Sequence, residues 1–351
     1  MSITNAKQAL DLLIGKSRVH LYKPIQIAEI LYRDRVLKDI DINKLDTYRT
    51  QSKKWRDIVS LDLVGNICTS SAKFQDDLFN STAIPINILN ELATYNKKTN
   101  GAVEAYIYHH LKLRNIQMYK ALNYCMSSTK EEFNLEVFLD MFWQQKGLKR
   151  SLDKIYEIIV YSLFDLLVNE MNIQIEVSFD ASKQDILTKF TKFSKKVIGI
   201  DSNNPNMKSL AKIHRAGVAN AADRGIDMWS NFGPIIQVKH LTLKEELAED
   251  IVSSLSADRI VIVCKDAEQK VILSLLNQIG WKSRIQSVVV ESELVEWYNE
   301  ALRGDFSSIL GDKLINSISN EIKSEFPSVI NIIPFMKKRK YDIIKDKIFS
   351  I

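Results

Sequence analysis

Residues 225–239 read GIDMWSNFGPIIQVK, and the way this stretch folds decides the reading of the whole chain. Asp227-Met228-Trp229 suits a short strand. Ser230 to Pro234 carries the punctuation of a turn, with Gly233 and Pro234 side by side. Ile235 to Lys239 is apolar and β-branched and predicts a second strand. Gln237 and Lys239 lie two apart on it, so they share one face. Pairing of the two strands brings Asp227 beside them. One carboxylate, one amide oxygen and one ammonium then converge at the edge of a sheet.

Outward from this hairpin, the order of elements is readable. Residues 242–256 (TLKEELAEDIVSSLS) predict a helix, with Thr242 as N-cap and Glu245 completing a capping box. Residues 259–264 (RIVIVC) predict a buried strand. Residues 266–279 predict a helix opened by Asp266 and stopped by Gly280. Residues 285–290 (IQSVVV) predict a further buried strand. Upstream, residues 151–171 predict a long helix with Ser151 as N-cap. Residues 173–179 (IQIEVSF) alternate as a strand does, 183–196 suit a helix, and 202–225 read as polar and irregular. The sum is an α/β (α+β) core, a mixed sheet flanked by helices.

The first part of the chain reads differently. Residues 4–15, 24–37, 45–62, 85–97, 102–124 and 132–144 carry apolar residues at helical spacing, and Pro24 and Pro85 suit first-turn positions. The expected division is a mainly helical region over 1–145 and a core over 146–351.

Composition sets outer bounds. With 351 residues and 46% hydrophobic content, the chain can bury a large core. Only 11 glycines and 6 prolines argue against an all-β fold with many tight turns. The net charge of +5 permits a nucleic-acid partner without requiring one. No apolar run suits a bilayer span, and the N-terminus lacks the features of a secretory signal, so a cytoplasmic protein without membrane association is the expectation. Cys68, Cys125 and Cys264 form no CxxC, and Cys264 closes an apolar run as a buried small hydrophobe. His109 and His110 are adjacent and cannot act as i,i+4 metal ligands, and no Walker-type loop points to a nucleotide cofactor.

The hairpin residues suit phosphodiester hydrolysis. Mg²⁺ takes oxygen ligands, here the Asp227 carboxylate, the Gln237 carbonyl, main-chain carbonyls and phosphate oxygens. Such an ion polarises the phosphoryl group and acidifies a water. Lys239 can orient or deprotonate that water and offset developing charge. Taken singly, Asp227 could cap a turn and Lys239 could be a solvated strand residue.

The spacing of Asp227, Gln237 and Lys239, followed by helix, buried strand, helix and buried strand, resembles the PD-(D/E)xK nuclease superfamily. Ile226-Asp227 stands for the Pro-Asp pair, and Gln237 stands where an acid is usual. Lys154-Ile-Tyr-Glu157 to Asp165 resembles the helix that precedes such cores. An acid on that helix often completes the metal site, which points to Glu157 as a third ligand. Residues 69–76 (TSSAKFQD, with Lys73) also look like text of such enzymes, and over nearly its whole length the chain resembles the HaeII-like type II restriction endonucleases. The resemblance implies a homodimer that cuts double-stranded DNA at a GC-rich palindrome such as RGCGCY.

Residues 214–225 lead into the hairpin. His214, Arg215, Asn220 and Arg224 are types that hold phosphates or read base edges, with a solvated loop as the plainer reading. The basic runs Lys53-Lys54-Trp55-Arg56 and Lys337-Lys338-Arg339-Lys340 are further candidates for backbone contact. His240 faces away from Lys239 and is read as structural. A DNA-binding protein that kept the fold without catalysis, and a structure-specific repair nuclease, are the alternatives.

Overall fold

The computed structural model describes residues 2–67, 78–80, 83–216, 226–239, 259–270, 274 and 285–351. By internal contacts the chain divides into two compact units, one built mainly from residues 1–158 and 299–351, the other mainly from 159–216 and 224–298. The C-terminal residues from 299 onward therefore group with the N-terminal helices, not with the sheet.

Among the described residues the second unit contains a sheet of five strands, named here in their order across it. Its strands are β3 (Ile213–Arg215), β4 (Met228–Ser230), β5 (Ile235–Lys239), β6 (Ile260–Cys264) and β7 (Ile285–Val290). The hairpin pairs are antiparallel, whereas β5, β6 and β7 run parallel. The mixed direction follows from the sequence. The four-residue connection 231–234 permits an antiparallel return, while parallel neighbours need a long crossover. The crossover between β5 and β6 spans residues 240–259, where the expected helix 242–256 and His240 lie outside the described residues. Every residue of β6 is buried, Cys264 included, as its unbroken apolar run requires.

A separate two-stranded sheet pairs β1 (Gln174–Val177) with β2 (Met207–Leu210) antiparallel. Strands β2 and β3 correct the reading of 202–225 as irregular. Both are short and polar, and their partners supply the order that their own side chains do not announce.

Other boundaries shift for local reasons. Residues 45–62 open as a 3₁₀ turn, and the helix proper runs Gln51–Val64. Residues 183–196 form no single helix: short helices Gln184–Lys189 and Thr191–Phe193 break at Phe190 and continue into a wider π turn, Ser194–Ile198. The long helix runs Leu152–Glu170, but Ser151 does not cap it. Ser151 sits in a preceding 3₁₀ turn, with its hydroxyl buried and without a hydrogen-bond partner among the described residues. Of the expected helix 266–279 the described part opens as a 3₁₀ turn, Asp266–Glu268, with Lys265 at the N-cap and the Asp266 carboxylate accepting from the main-chain N–H and hydroxyl of Ser292, while most of its later residues and Gly280 lie outside the described residues. The strand 285–290 buries only Val289 and Val290, as suits an edge.

In the first unit, helices Ile3–Lys16, Tyr22–Tyr32, Ile86–Lys98 and the long Ala102–Ser127 gather one hydrophobic core, joined by the C-terminal helix Ile332–Lys338. Arg114 is buried among them and donates to the carbonyls of Ile14, Ser17 and Arg18 at 2.6–2.9 Å. It thereby satisfies acceptors that the end of the first helix leaves open. No helix among the described residues is long and apolar enough to cross a membrane.

His110 gives this unit a pH response. Its ring meets Tyr106 edge-on at 4.5 Å, and burial together with nearby Arg114 pushes its pKa down to about 4. The folded form thus holds the ring neutral where the unfolded chain would take up a proton. Stability from this source is complete above the unfolded pKa near 6.5 and is lost as pH falls toward about 4. Denaturant midpoints should drop between about pH 7.5 and about pH 5, and His110→Phe should flatten that slope. An unchanged slope in the variant would discard His110 as its source.

Candidate active site

The register of the hairpin fixes the site. Met228 pairs with Ile236 and Trp229 with Ile235, so the next step outward sets Asp227 across from Gln237. The Gln237 side-chain N–H donates to Asp227 Oδ2 at 2.8 Å, and the Val238 main-chain N–H donates to the same oxygen at 2.8 Å. The carboxylate is therefore anchored to β5 by two hydrogen bonds. Gln237 is 2% exposed, and Lys239, two residues on, shares its face at the partly open end of the strand.

The turn that aligns these strands is held from several sides. Ser230 donates from its N–H and its hydroxyl to the Pro234 carbonyl, at 3.0 and 2.8 Å. Gly233 has φ +118°, a conformation that side chains disfavour. Asn231 bonds to the main chain of Leu210 and Lys212, tying the turn to the approach of β3.

Further groups lie on or near this sheet face. His214 lies on β3, opposite Trp229, and the two rings stack at 4.2 Å. Trp229 remains 45% exposed beside Asp227. Asp165, on the long helix, lies near His214 and Lys212, and its carboxyl is raised chiefly by burial, against the lowering effect of Asn169 and of those two residues. Trp229 could have been noticed from the period of two that it shares with Asp227. Asp165 carried no such signal, because its place depends on how the helix packs on the sheet.

The remaining candidates are not all brought to this place. Glu157 is buried and pairs with Lys154 one turn earlier, so it is not a solvated helix position. Arg215 lies on β3, next to His214 in sequence and on the other face. Lys73, Asn220 and Arg224 lie outside the described residues. Two basic runs change meaning. Arg56 is buried and bonded to Asp57, and Arg339 is committed to Glu29 through both terminal nitrogens. Neither guanidinium faces a phosphate surface. Within those runs only the neighbouring lysines are exposed.

Three or more acidic, histidine or cysteine side chains gather nowhere among the described residues as a metal-binding cluster. The donor set at the hairpin is one carboxylate, one carboxamide and strand carbonyls. All are hard oxygen donors without thiolate or imidazole, which fits Mg²⁺ held with the help of substrate phosphates.

Comparison with known proteins matches residues 6–341 to the family model described as HaeII restriction endonuclease. The chain is 52% identical over 339 residues to the type II restriction enzyme HaeII of Haemophilus aegyptius, covering 96% of each chain. It is 54% identical over 341 residues to the type II restriction enzyme NgoBI of Neisseria gonorrhoeae, covering 96% of this chain and 97% of that one. No solved structure matches.

Proposed function

The chain belongs to the HaeII restriction endonuclease family, and from that premise we propose that it is a type II site-specific deoxyribonuclease of PD-(D/E)xK type. It hydrolyses both strands of duplex DNA at a short GC-rich palindrome, RGCGCY-like, in the cytoplasm, with Mg²⁺ as cofactor. Two copies act together, because a two-fold symmetric sequence is met by a two-fold symmetric protein. The observation that carries the reading is the pairing of Asp227 with Gln237 across the hairpin, with Lys239 on the same face.

Asp227 and Gln237 would hold the ion, and Glu157 would join them only by leaving its pairing with Lys154. A bound divalent cation supplies charge neutralisation at the scissile phosphate and a more acidic water. The protein's own groups do the rest. Val238 N–H and the Gln237 amide hold the Asp227 carboxylate in one orientation, so little reorganisation is needed when the phosphate arrives. Lys239 orients the attacking water and offsets the negative charge that grows on the phosphoryl oxygens. His214 and Arg215, with Lys73, Asn220 and Arg224, are the DNA-contacting candidates. The stacked His214 and Trp229 rings offer a flat face to a nucleotide on the side of the sheet where Asp227 stands.

Plasmid DNA incubated with the purified protein and Mg²⁺ should yield discrete fragments whose sequenced ends define one palindrome. Smears, or binding without cutting, would reject the reading.

Gln237 has its own prediction. In Gln237→Glu the N–H donor is lost and a second carboxylate faces Asp227. Without metal the repulsion should cost about 1–2 kcal/mol and lower the melting temperature by a few degrees. Added Mg²⁺ or Mn²⁺ should then raise it more than in the wild type, since each ion binds a stronger donor pair. Equal metal responses in both proteins would remove Gln237 from the metal site.

A further inference from the structure

Residues 183–196 read KQDILTKFTKFSKK. They hold five lysines against one aspartate, a net +4 in a chain whose total is +5. Only Leu187 and Ser194 of the segment are buried. Ile186, Phe190, Phe193 and Val197 recur at spacings of four, three and four across two short helices and a π turn, a broken apolar stripe in which each residue is 57–68% exposed. Lys189, Lys192 and Lys196 recur beside it at spacings of three and four and are also exposed, while Lys195 reaches Asp201 at 3.5 Å. The two phenyl rings alone leave roughly 200 Å² of apolar surface in water. A soluble surface seldom keeps such a stripe unless it meets a partner.

The charge selects the partner. A second copy laid on this stripe would bring the same lysine row against itself. A duplex offers phosphates to the row and, in its minor groove, base steps that admit an apolar wedge. We propose that the segment Gln184–Ile198 is a DNA-contacting element, with Lys189, Lys192 and Lys196 along the phosphate backbone and Phe190 and Phe193 pressed into the minor groove. This rests on the reading of the chain as a DNA-cutting enzyme. It adds a surface that the hairpin site does not contain, within the same compact unit. The break at Phe190 and the wider turn after it suit this use, because a slightly unwound helix can follow a groove that a straight one leaves after a turn.

The test uses the full chain in metal-free buffer with short duplexes, one carrying the cleavage site and one lacking it, each containing 2-aminopurine. In the triple variant Lys189→Ala, Lys192→Ala, Lys196→Ala, affinity for both duplexes should fall together. The slope of log affinity against log salt should flatten by about 2.7, from about 0.9 for each lost phosphate contact. In Phe190→Ala with Phe193→Ala, affinity should fall about tenfold with the salt slope unchanged, and the 2-aminopurine fluorescence gained on binding should vanish. Circular dichroism and melting temperature check that both variants fold. Wild-type affinity in both variants would overturn the proposal. So would unchanged affinity with a shift from two copies to one in sedimentation, which would make the stripe a protein interface. If the wild type gives fixed plasmid fragments while the variants bind normally, the assignment of this segment falls and the nuclease reading stands. If the variants lose binding while the wild type never cuts, the segment stands and the nuclease reading falls.

Discussion

Asp227→Ala is expected to lower DNA cleavage by roughly three orders of magnitude or more, about 4 kcal/mol of transition-state stabilisation. The effect is large because this carboxylate is the one formal negative charge in the hairpin donor set, and Gln237 supplies only a dipole. Metal-free DNA binding should hold or tighten slightly, since the substitution removes a negative charge from a surface that meets phosphates. The fold needs its own control, because Asp227 Oδ2 also accepts the Val238 and Gln237 N–H groups. Asp227→Asn keeps an acceptor for Val238 and should melt close to the wild type while cutting almost as poorly as the alanine variant. Lys239→Ala should lose activity on the same scale, with Lys239→Arg recovering little, because the broad planar guanidinium cannot place a donor where the compact ammonium meets the water. Cleavage at the wild-type rate by Asp227→Ala or by Lys239→Ala would end the assignment.

The parts of the fold that the sequence announces are those whose own side chains carry the signal. In β6 an unbroken apolar run has nowhere to go but the interior of a sheet, and in β5 the period of two sets Gln237 and Lys239 on one face. The Asp227–Gln237 hydrogen bond follows from those two facts and the length of the turn. What stays hidden depends on partners far along the chain. His214 sits in polar text, and only its neighbour β4 makes it a strand residue. Arg339 belongs to a run of four basic residues that looks like a solvated or phosphate-binding surface. Its guanidinium is instead taken by Glu29, some three hundred residues away. Long-range pairing of this kind leaves no local period to read. It is also why the C-terminal residues group with the N-terminal helices.

That distant pairing should make Glu104→Ala the most destabilising single change in the first unit. Glu104 is fully buried. It accepts two parallel hydrogen bonds from Arg35, both 2.9 Å, one from Asn96 at 2.6 Å, and one from the Tyr341 hydroxyl. Next to it, Glu29 takes Arg339 and the Tyr108 hydroxyl, and the rings of Tyr108 and Tyr341 stack at 5.5 Å. Burial raises both tyrosine pKa values well above 10, with the neighbouring glutamates adding to it, so both hydroxyls stay donors wherever the protein is folded. Removing Glu104 strips Arg35, Asn96 and Tyr341 of an acceptor at once. The expected cost is about 3–5 kcal/mol, the range for breaking a buried ion pair. Tyr341→Phe removes one donor and should cost only about 1–2 kcal/mol. Since Tyr341 and Arg339 are the C-terminal half of the network, limited proteolysis of Glu104→Ala should nick the chain beyond residue 331 before anywhere in the N-terminal helices. A denaturation midpoint within about 0.5 kcal/mol of wild type would show that the network contributes no net stability, which can happen when the cost of desolvating the charges cancels their attraction.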